Sequence, residues 1–243
     1  MAKSSPSRLR GKVALVTGGS RGIGLAIARA LASEGCHLVL TGRNEAALKQ
    51  VSRELLKLRI QVLPVACDIR EPEAVRSLLQ RAKKQFRHLD VLINNAGVAH
   101  PNRHVDRLDY ESWREVLNTN LDGMFLVTHY ALPLMRRGGA IVNNLSIAAK
   151  RVFPGSSAYN ASKHGALGFT NTLREELRPR GIRVIALLPG ATDTPIWKAL
   201  WPGAPRKKMM APEIVAAAVV DALILPPEST LEELVLLPAA GTL

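Results

Sequence analysis

The chain of 243 residues has only two cysteines, Cys36 and Cys67. They make neither a Cys-x-x-Cys pair nor a disulfide framework, which excludes a cross-linked secreted scaffold and suits a reducing compartment. Aromatic residues are sparse at 4%, so few platforms exist on which nucleic-acid bases could stack. No stretch approaches the roughly 18 uninterrupted apolar residues that cross a bilayer. The first apolar run, Val13 to Val16, breaks at Thr17-Gly18-Gly19, too soon for the apolar segment of a signal peptide. A soluble, cytoplasmic protein with no membrane partner is expected. Acidic side chains are outnumbered, 20 against 33 Lys and Arg, for a net charge of +13. The basic clusters are short and dispersed, as at Lys83-Lys84, Arg136-Arg137 and Arg206-Lys207-Lys208. That pattern describes a solvated basic surface rather than a nucleic-acid-binding face. The chain has no Gly-x-Ser-x-Gly elbow, which excludes an α/β-hydrolase. His100 and His104 have the one suggestive metal-ligand spacing, but no Cys or paired acids stand beside them, so no metal is expected.

What the chain does have is 47% hydrophobic residues arranged in alternating short and long apolar segments. Strands are predicted at Lys12–Thr17, His37–Thr41, Gln61–Ala66, Val91–Asn94, Ala140–Leu145, Arg183–Leu188 and Leu234–Leu237. Helical periods fill the gaps at Gly22–Ser33, Glu45–Leu58 and Glu73–Phe86, the last behind Pro72. Tyr110–Arg136 reads as one long helix bent near Pro133, Ala158–Leu177 as the next, and Pro212 opens the last. Repeated βα units predict an α/β fold, a doubly wound sheet of seven parallel strands in a single domain. A basic tail, 1–10, precedes that domain, 11–243. The segment from Asp193 to Ala211, with Trp197, Trp201, Met209 and Met210, reads as a lid over an apolar pocket, with packing between protomers as the alternative.

Between the first strand and first helix stands Thr17-Gly18-Gly19-Ser20-Arg21-Gly22-Ile23-Gly24. Glycines there permit a tight turn and close backbone approach to a pyrophosphate, and the helix N-terminus stabilises the anion. The strand-to-helix setting marks a dinucleotide site. The second strand ends Thr41-Gly42-Arg43, without the carboxylate that would accept from the ribose hydroxyls of NAD. Arg43 and Arg21 could instead bracket a 2′-phosphate, which points to NADP(H). Glu45 is the rival carboxylate, although an acid in a first helical turn is expected on dipole grounds alone.

Tyr159 and Lys163 lie one helical turn apart, so an ammonium can stand near a phenol and favour the phenolate. Ser146 comes thirteen residues before the tyrosine and Asn120 lies in the preceding helix. With Asp68 after strand three, Asn94-Asn95-Ala96-Gly97 after strand four, Tyr159-Asn160-Ala161-Ser162-Lys163, and Pro189-Gly190 followed by Thr192 and Thr194, the chain resembles a short-chain dehydrogenase/reductase over nearly its whole length. The resemblance implies a hydride transfer between NADP(H) and a carbonyl or secondary alcohol. It implies that Tyr159 is the general acid or base and that Ser146 holds the substrate oxygen. Lys163 is expected to bind the nicotinamide ribose and lower the tyrosine pKa, and Asn120 to position a relay water. The cofactor side is expected at Thr17, Gly18, Ser20, Arg21, Gly22, Ile23, Gly24, Arg43, Asp68, Ile69, Asn95, Ala96, Gly97, Pro189, Gly190, Thr192 and Thr194, with Tyr159 and Lys163. A homotetramer or dimer through the helices at 110–136 and 158–177 is also implied.

Asn144 and Leu145 depart from commoner family patterns, as does the ending Leu234 to Gly241, which differs from that of many 3-ketoacyl reductases. Arg137 and Arg180 are basic positions that could meet an acidic acyl carrier protein. A ketone reductase is the principal reading. A 3-ketoacyl carrier-protein reductase and a non-catalytic NADP-binding regulator on the same fold are the alternatives.

Overall fold

Residue burial in the computed structural model, which describes residues 8–226 and 228–241, follows from runs of β-branched and leucine side chains too apolar to face water on either side. In β1 (Val13–Thr17) every residue is buried, and the residues alternate between two cores. Ala14 and Val16 face one, Val13 and Leu15 the other. A strand that is apolar on both faces is stable only in the middle of a sheet covered on each side. The same alternation splits β2 (His37–Gly42), where Leu38 and Leu40 oppose Val39.

The other strands are β3 (Val62–Ala66), β4 (Leu89–Asn94), β5 (Met135–Asn144), β6 (Arg183–Pro189) and β7 (Glu233–Leu236). All seven pair in parallel, in the order β3-β2-β1-β4-β5-β6-β7. The core on one face is completed by α1 (Gly22–Ser33), α2 (Glu45–Leu56) and α8 (Pro212–Ile224). The other face carries α3 (Pro72–Phe86), α5 (Gly123–Ala131) and α6 (Ser157–Leu177), with α4 (Tyr110–Leu117) packed on α6. Chain order reverses between β1 and β4, so the loops after these strands splay apart and open a crevice at the carboxyl edge. Leu15, Leu38, Leu40 and Leu92 are completely buried, and truncating one to Ala would cost about 2–5 kcal/mol.

The sheet's two edges differ. Just after β3 the Cys67 N–H bonds to the Gly42 carbonyl at 3.0 Å. By alternation Val65 and Leu63 face β2 as well, and Pro64, which has no N–H, faces outward. β7 at the far edge has only four residues, and Val235 is half exposed.

Two expectations need correction. The long helix expected over 110–136 is broken. After α4 come a π-helical turn at Asn118–Asp122, α5, and a 3-10 turn at Leu132–Leu134 containing Pro133. Met135 already pairs with Leu89 as the start of β5, because Pro133 cannot continue the helical ladder. The expected tail, 1–10, lies outside the described residues up to position 7. Within them, Leu9 is buried and joins the core of α1 and α2.

Candidate active site

The turn after β1 shows why glycine is required there. Gly18 has φ +64°, and a Cβ would come within 2.9 Å of Asn95 Nδ2 and 3.0 Å of Ala96 Cα. A Cβ on Gly24 would overlap Asn95 Nδ2 and the Gly18 carbonyl, so the first turn of α1 lies directly against the loop. Arg21 at the N-cap is extended and makes no side-chain cap, and no acid occupies the first turn. The orphan N–H groups and positive dipole end therefore point into the crevice unneutralised. This suits the pyrophosphate of a dinucleotide.

Charged side chains gather at the outer end of the crevice. Arg21, Arg43, Asp68 and Arg70 all line it. Asp68 accepts the Arg70 backbone N–H at 3.0 Å and its guanidinium at 3.0 and 2.5 Å. That hydrogen bonding holds the Asp68 carboxyl below its ordinary range, and the Arg43 charge adds to the effect. Glu45 also lines the crevice, but its carboxylate pairs with Lys49 at 2.7 Å.

The inner end is built from β5, α6 and the π turn. Ser146 follows β5, and its Oγ accepts from the Ala148 N–H at 3.1 Å. Tyr159 is the third residue of α6 and hydrogen-bonds to the Ser146 hydroxyl. Burial raises the Tyr159 pKa above its ordinary value, and the bond from Ser146 opposes that rise. Lys163 lies one turn further on, with Nζ 5.5 Å from the Tyr159 ring centroid. Its ammonium donates to the Asn144 carbonyl at 3.1 Å. The side chain is 4% exposed, and this burial lowers its pKa to about 8.

Behind these groups runs a chain of uncharged hydrogen bonds. Thr17 Oγ1 accepts from the N–H groups of Asn95 and Ala96 at 2.9 and 3.0 Å. Asn95 Nδ2 donates back to the Thr17 carbonyl at 2.8 Å, and Asn95 Oδ1 accepts from Asn144 Nδ2 at 2.9 Å. With the lysine bond, this links the glycine turn to Lys163 through two asparagines. Deeper still, Asn94 Nδ2 donates to Asn143 Oδ1 and to Thr128 Oγ1, both at 2.9 Å. Asn143 Nδ2 donates to Thr170 Oγ1 at the same distance. That ladder ties β4, β5, α5 and α6 together under the site.

The crevice, about 1350 Å³, is lined by most of the sequence-expected residues, including Gly18, Ser20, Arg21, Gly22, Ile23, Arg43, Asp68 and Ile69 toward its outer end. Asn95, Ala96, Gly97, Ser146, Tyr159, Lys163, Pro189, Gly190, Thr192 and Thr194 line the rest. Thr17, Gly24 and Asn120 stand behind this lining. Asn120 is committed to neighbours: Oδ1 accepts from the Val98 N–H at 2.8 Å, and Nδ2 donates to the Val98 carbonyl and Ser162 Oγ at 2.9 and 3.0 Å. The expected lid, 193–211, divides in two. Residues 194–201, which include α7 (Trp197–Leu200), line the crevice. Met210 is instead buried in the core beside α8, and Met209 is not in the crevice wall. The Asp193 N–H bonds to the Met210 carbonyl and Arg206 pairs with Asp193, so the later half is tied back to the start of the segment.

Sequence reasoning missed Arg70 and misjudged Asn144. Arg70 had a usable signal, since it follows Asp68 by two residues at the end of a strand flanking a dinucleotide turn. Asn144 had none, because its partner Asn95 is 49 residues away.

Known proteins agree with the geometry. A family model described as short chain dehydrogenase matches residues 12–204. The chain is 37% identical over 185 residues to sulfoacetaldehyde reductase 2 of Chromohalobacter salexigens, covering 75% of this chain and 73% of that one. It is 36% identical over 186 residues to a 3beta-hydroxysteroid dehydrogenase of Mediterraneibacter gnavus, covering 76% and 67%. A solved alcohol dehydrogenase from the archaeon Thermococcus sibiricus, complexed with 5-hydroxy-NADP, superposes with TM-score 0.89 at 32% identity, over 95% of this chain and 97% of that one.

Proposed function

The chain belongs to the short-chain dehydrogenase family, and from that premise we propose that it is an NADP-dependent reductase of ketones or aldehydes. One observation carries the reading. The Tyr159 and Ser146 hydroxyls and the buried Lys163 ammonium share one wall of a crevice that runs back to an uncapped helix N-terminus.

The residues present fit a nicotinamide dinucleotide. The turn at Gly18 has no room for a side chain, and the free N–H groups of α1 meet the pyrophosphate. Arg21 and Arg43 favour a 2′-phosphate, whereas Glu45 is taken up by Lys49. When bound, the cofactor supplies a hydride at the nicotinamide ring.

The chain's own groups manage the other atoms. The Ser146 hydroxyl donates a hydrogen bond to the carbonyl oxygen and fixes it beside Tyr159. Tyr159 gives its hydroxyl proton to that oxygen. A hydride that the bound cofactor would supply to the carbonyl carbon, together with that proton, would complete the alcohol. Below about pH 8 Lys163 is charged, and its field favours the phenolate left on Tyr159. The π turn at Asn118–Asp122 interrupts the helical ladder beside Gly97, and we place the relay water there, with Asn120 holding the turn in shape.

The test is Tyr159→Phe, which removes only the proton donor. Turnover of NADPH with a ketone panel should fall by roughly 10²–10⁴-fold, while the NADPH dissociation constant from fluorescence titration stays near that of the wild type. A variant that keeps more than about a tenth of the rate places the general acid elsewhere. NADPH binding by the wild type with no carbonyl turned over would favour the nucleotide-binding regulator instead.

A further inference from the structure

The crevice runs on past the residues that would hold a cofactor. At about 1350 Å³ it exceeds the roughly 300–1,000 Å³ of a single small-molecule site, which leaves a lobe beside Ser146 and Tyr159. Two segments wall that lobe. Ile147 and Phe153 come from the stretch before α6, and Ile196, Leu200 and Trp201 come from the segment around α7. Of the lining residues in 147–156 and 196–201, only Ser156 and Lys198 carry a hydroxyl or a charge. Ser156 is buried, and Lys198 is exposed to water, where pairing with an anion gains little.

The tryptophans make the same point in more detail. The Trp197 indole N–H donates to the Thr192 carbonyl at 2.8 Å, so its one polar atom is satisfied within the segment and the ring offers carbon surface. Trp197 and Trp201 meet edge to face with centroids 6.5 Å apart. Trp201 is nonetheless 46% exposed, a large apolar surface held at the mouth of the crevice. The Asn102 N–H bonds to the Leu200 carbonyl at 3.2 Å, which pins α7 across the opening. A small anionic aldehyde entering this lobe would lose hydration and find no buried cation beyond Lys163. A large apolar molecule would cover the exposed aromatic surface.

We propose that this lobe selects bulky, uncharged alicyclic or aromatic ketones, an inference that rests on the reductase reading above. The probes are 2-tetralone, succinic semialdehyde and acetoacetyl-CoA, each tested for NADPH consumption. Binding is followed separately by tryptophan fluorescence in the NADP⁺-saturated protein. We expect 2-tetralone to bind saturably and its kcat/KM to exceed those of the other two by at least about tenfold, with Trp197→Ala narrowing the gap. If the anionic aldehyde or the thioester is preferred, this inference falls and the reductase reading stands. If 2-tetralone binds but no carbonyl is turned over, the lobe's selectivity stands and the reductase reading falls. Neither binding nor turnover overturns both.

Discussion

The two ends of the crevice are built from opposite materials. At the outer end, charged side chains stand on the loop after β3 and the first turns of α2, partly exposed, and satisfy one another in local pairs such as Asp68–Arg70 and Glu45–Lys49. At the chemical end, amides and hydroxyls are buried and bonded across strands far apart in sequence, around one buried ammonium. An exposed pair contributes at most about 1 kcal/mol to stability, so the outer end can be rebuilt at little cost to the fold. A buried network is sensitive to any missing partner. On the reading proposed above, cofactor choice falls where the chain tolerates change, and proton transfer where it does not.

The sharpest break in this contrast is Lys163→Met. In the folded chain Lys163 titrates near pH 8, below its ordinary 10.5. Between those values the unfolded chain holds a proton that the folded one has released, so stability rises with pH across that window. Below pH 8 both states are protonated and the full penalty of burying the charge is present. The wild type should therefore gain ~3 kcal/mol relative to Lys163→Met between pH 7.5 and 10.5, measured by urea unfolding at both pH values. Parallel pH profiles would mean that the ammonium is not desolvated.

At the outer end the expected effect is on binding alone. Arg43→Ala should weaken NADPH by about 1.5–3 kcal/mol and leave NADH nearly unchanged, as read by titration of each cofactor. Equal losses would remove the phosphate role from Arg43. Smaller again is Arg70→Gln, which frees the Asp68 carboxylate and lets its pKa return toward the ordinary range. Unfolding free energy should change by less than about 1 kcal/mol and NADPH affinity by less than about fivefold. A larger loss of stability would show that the outer end is as tightly built as the inner one.

Much of this was legible from the chain. Strand positions followed from apolar runs such as Val13–Val16, and the glycine turn identified itself by lying between a strand and a helix. Tyr159, Lys163 and Ser146 are close in sequence, and one helix brings two of them together. Side-chain periodicity is nearly blind to a π turn, however, because one extra residue at 118–122 shifts the phase without altering composition. Nor does it show hydrogen bonds between remote amides. Asn144 stands out in the sequence only as a departure from the family pattern, and its contacts with Asn95 and Lys163 show only in the fold. Met210 read as part of a lid and is core, since an apolar residue in a proline-rich stretch gives no sign of which way it faces.

The inequality of the sheet's edges limits how this molecule can add a strand. At β3, Pro64 presents a ring where an incoming chain would need its central donor, so that border disfavours extension. Among the described residues, β7 is the edge whose outward row of backbone groups carries no proline. Two copies joined there would each use their single available border, and the enlarged sheet would end in a proline-bearing strand on both sides. Growth by this route stops at a pair and cannot run on into a filament.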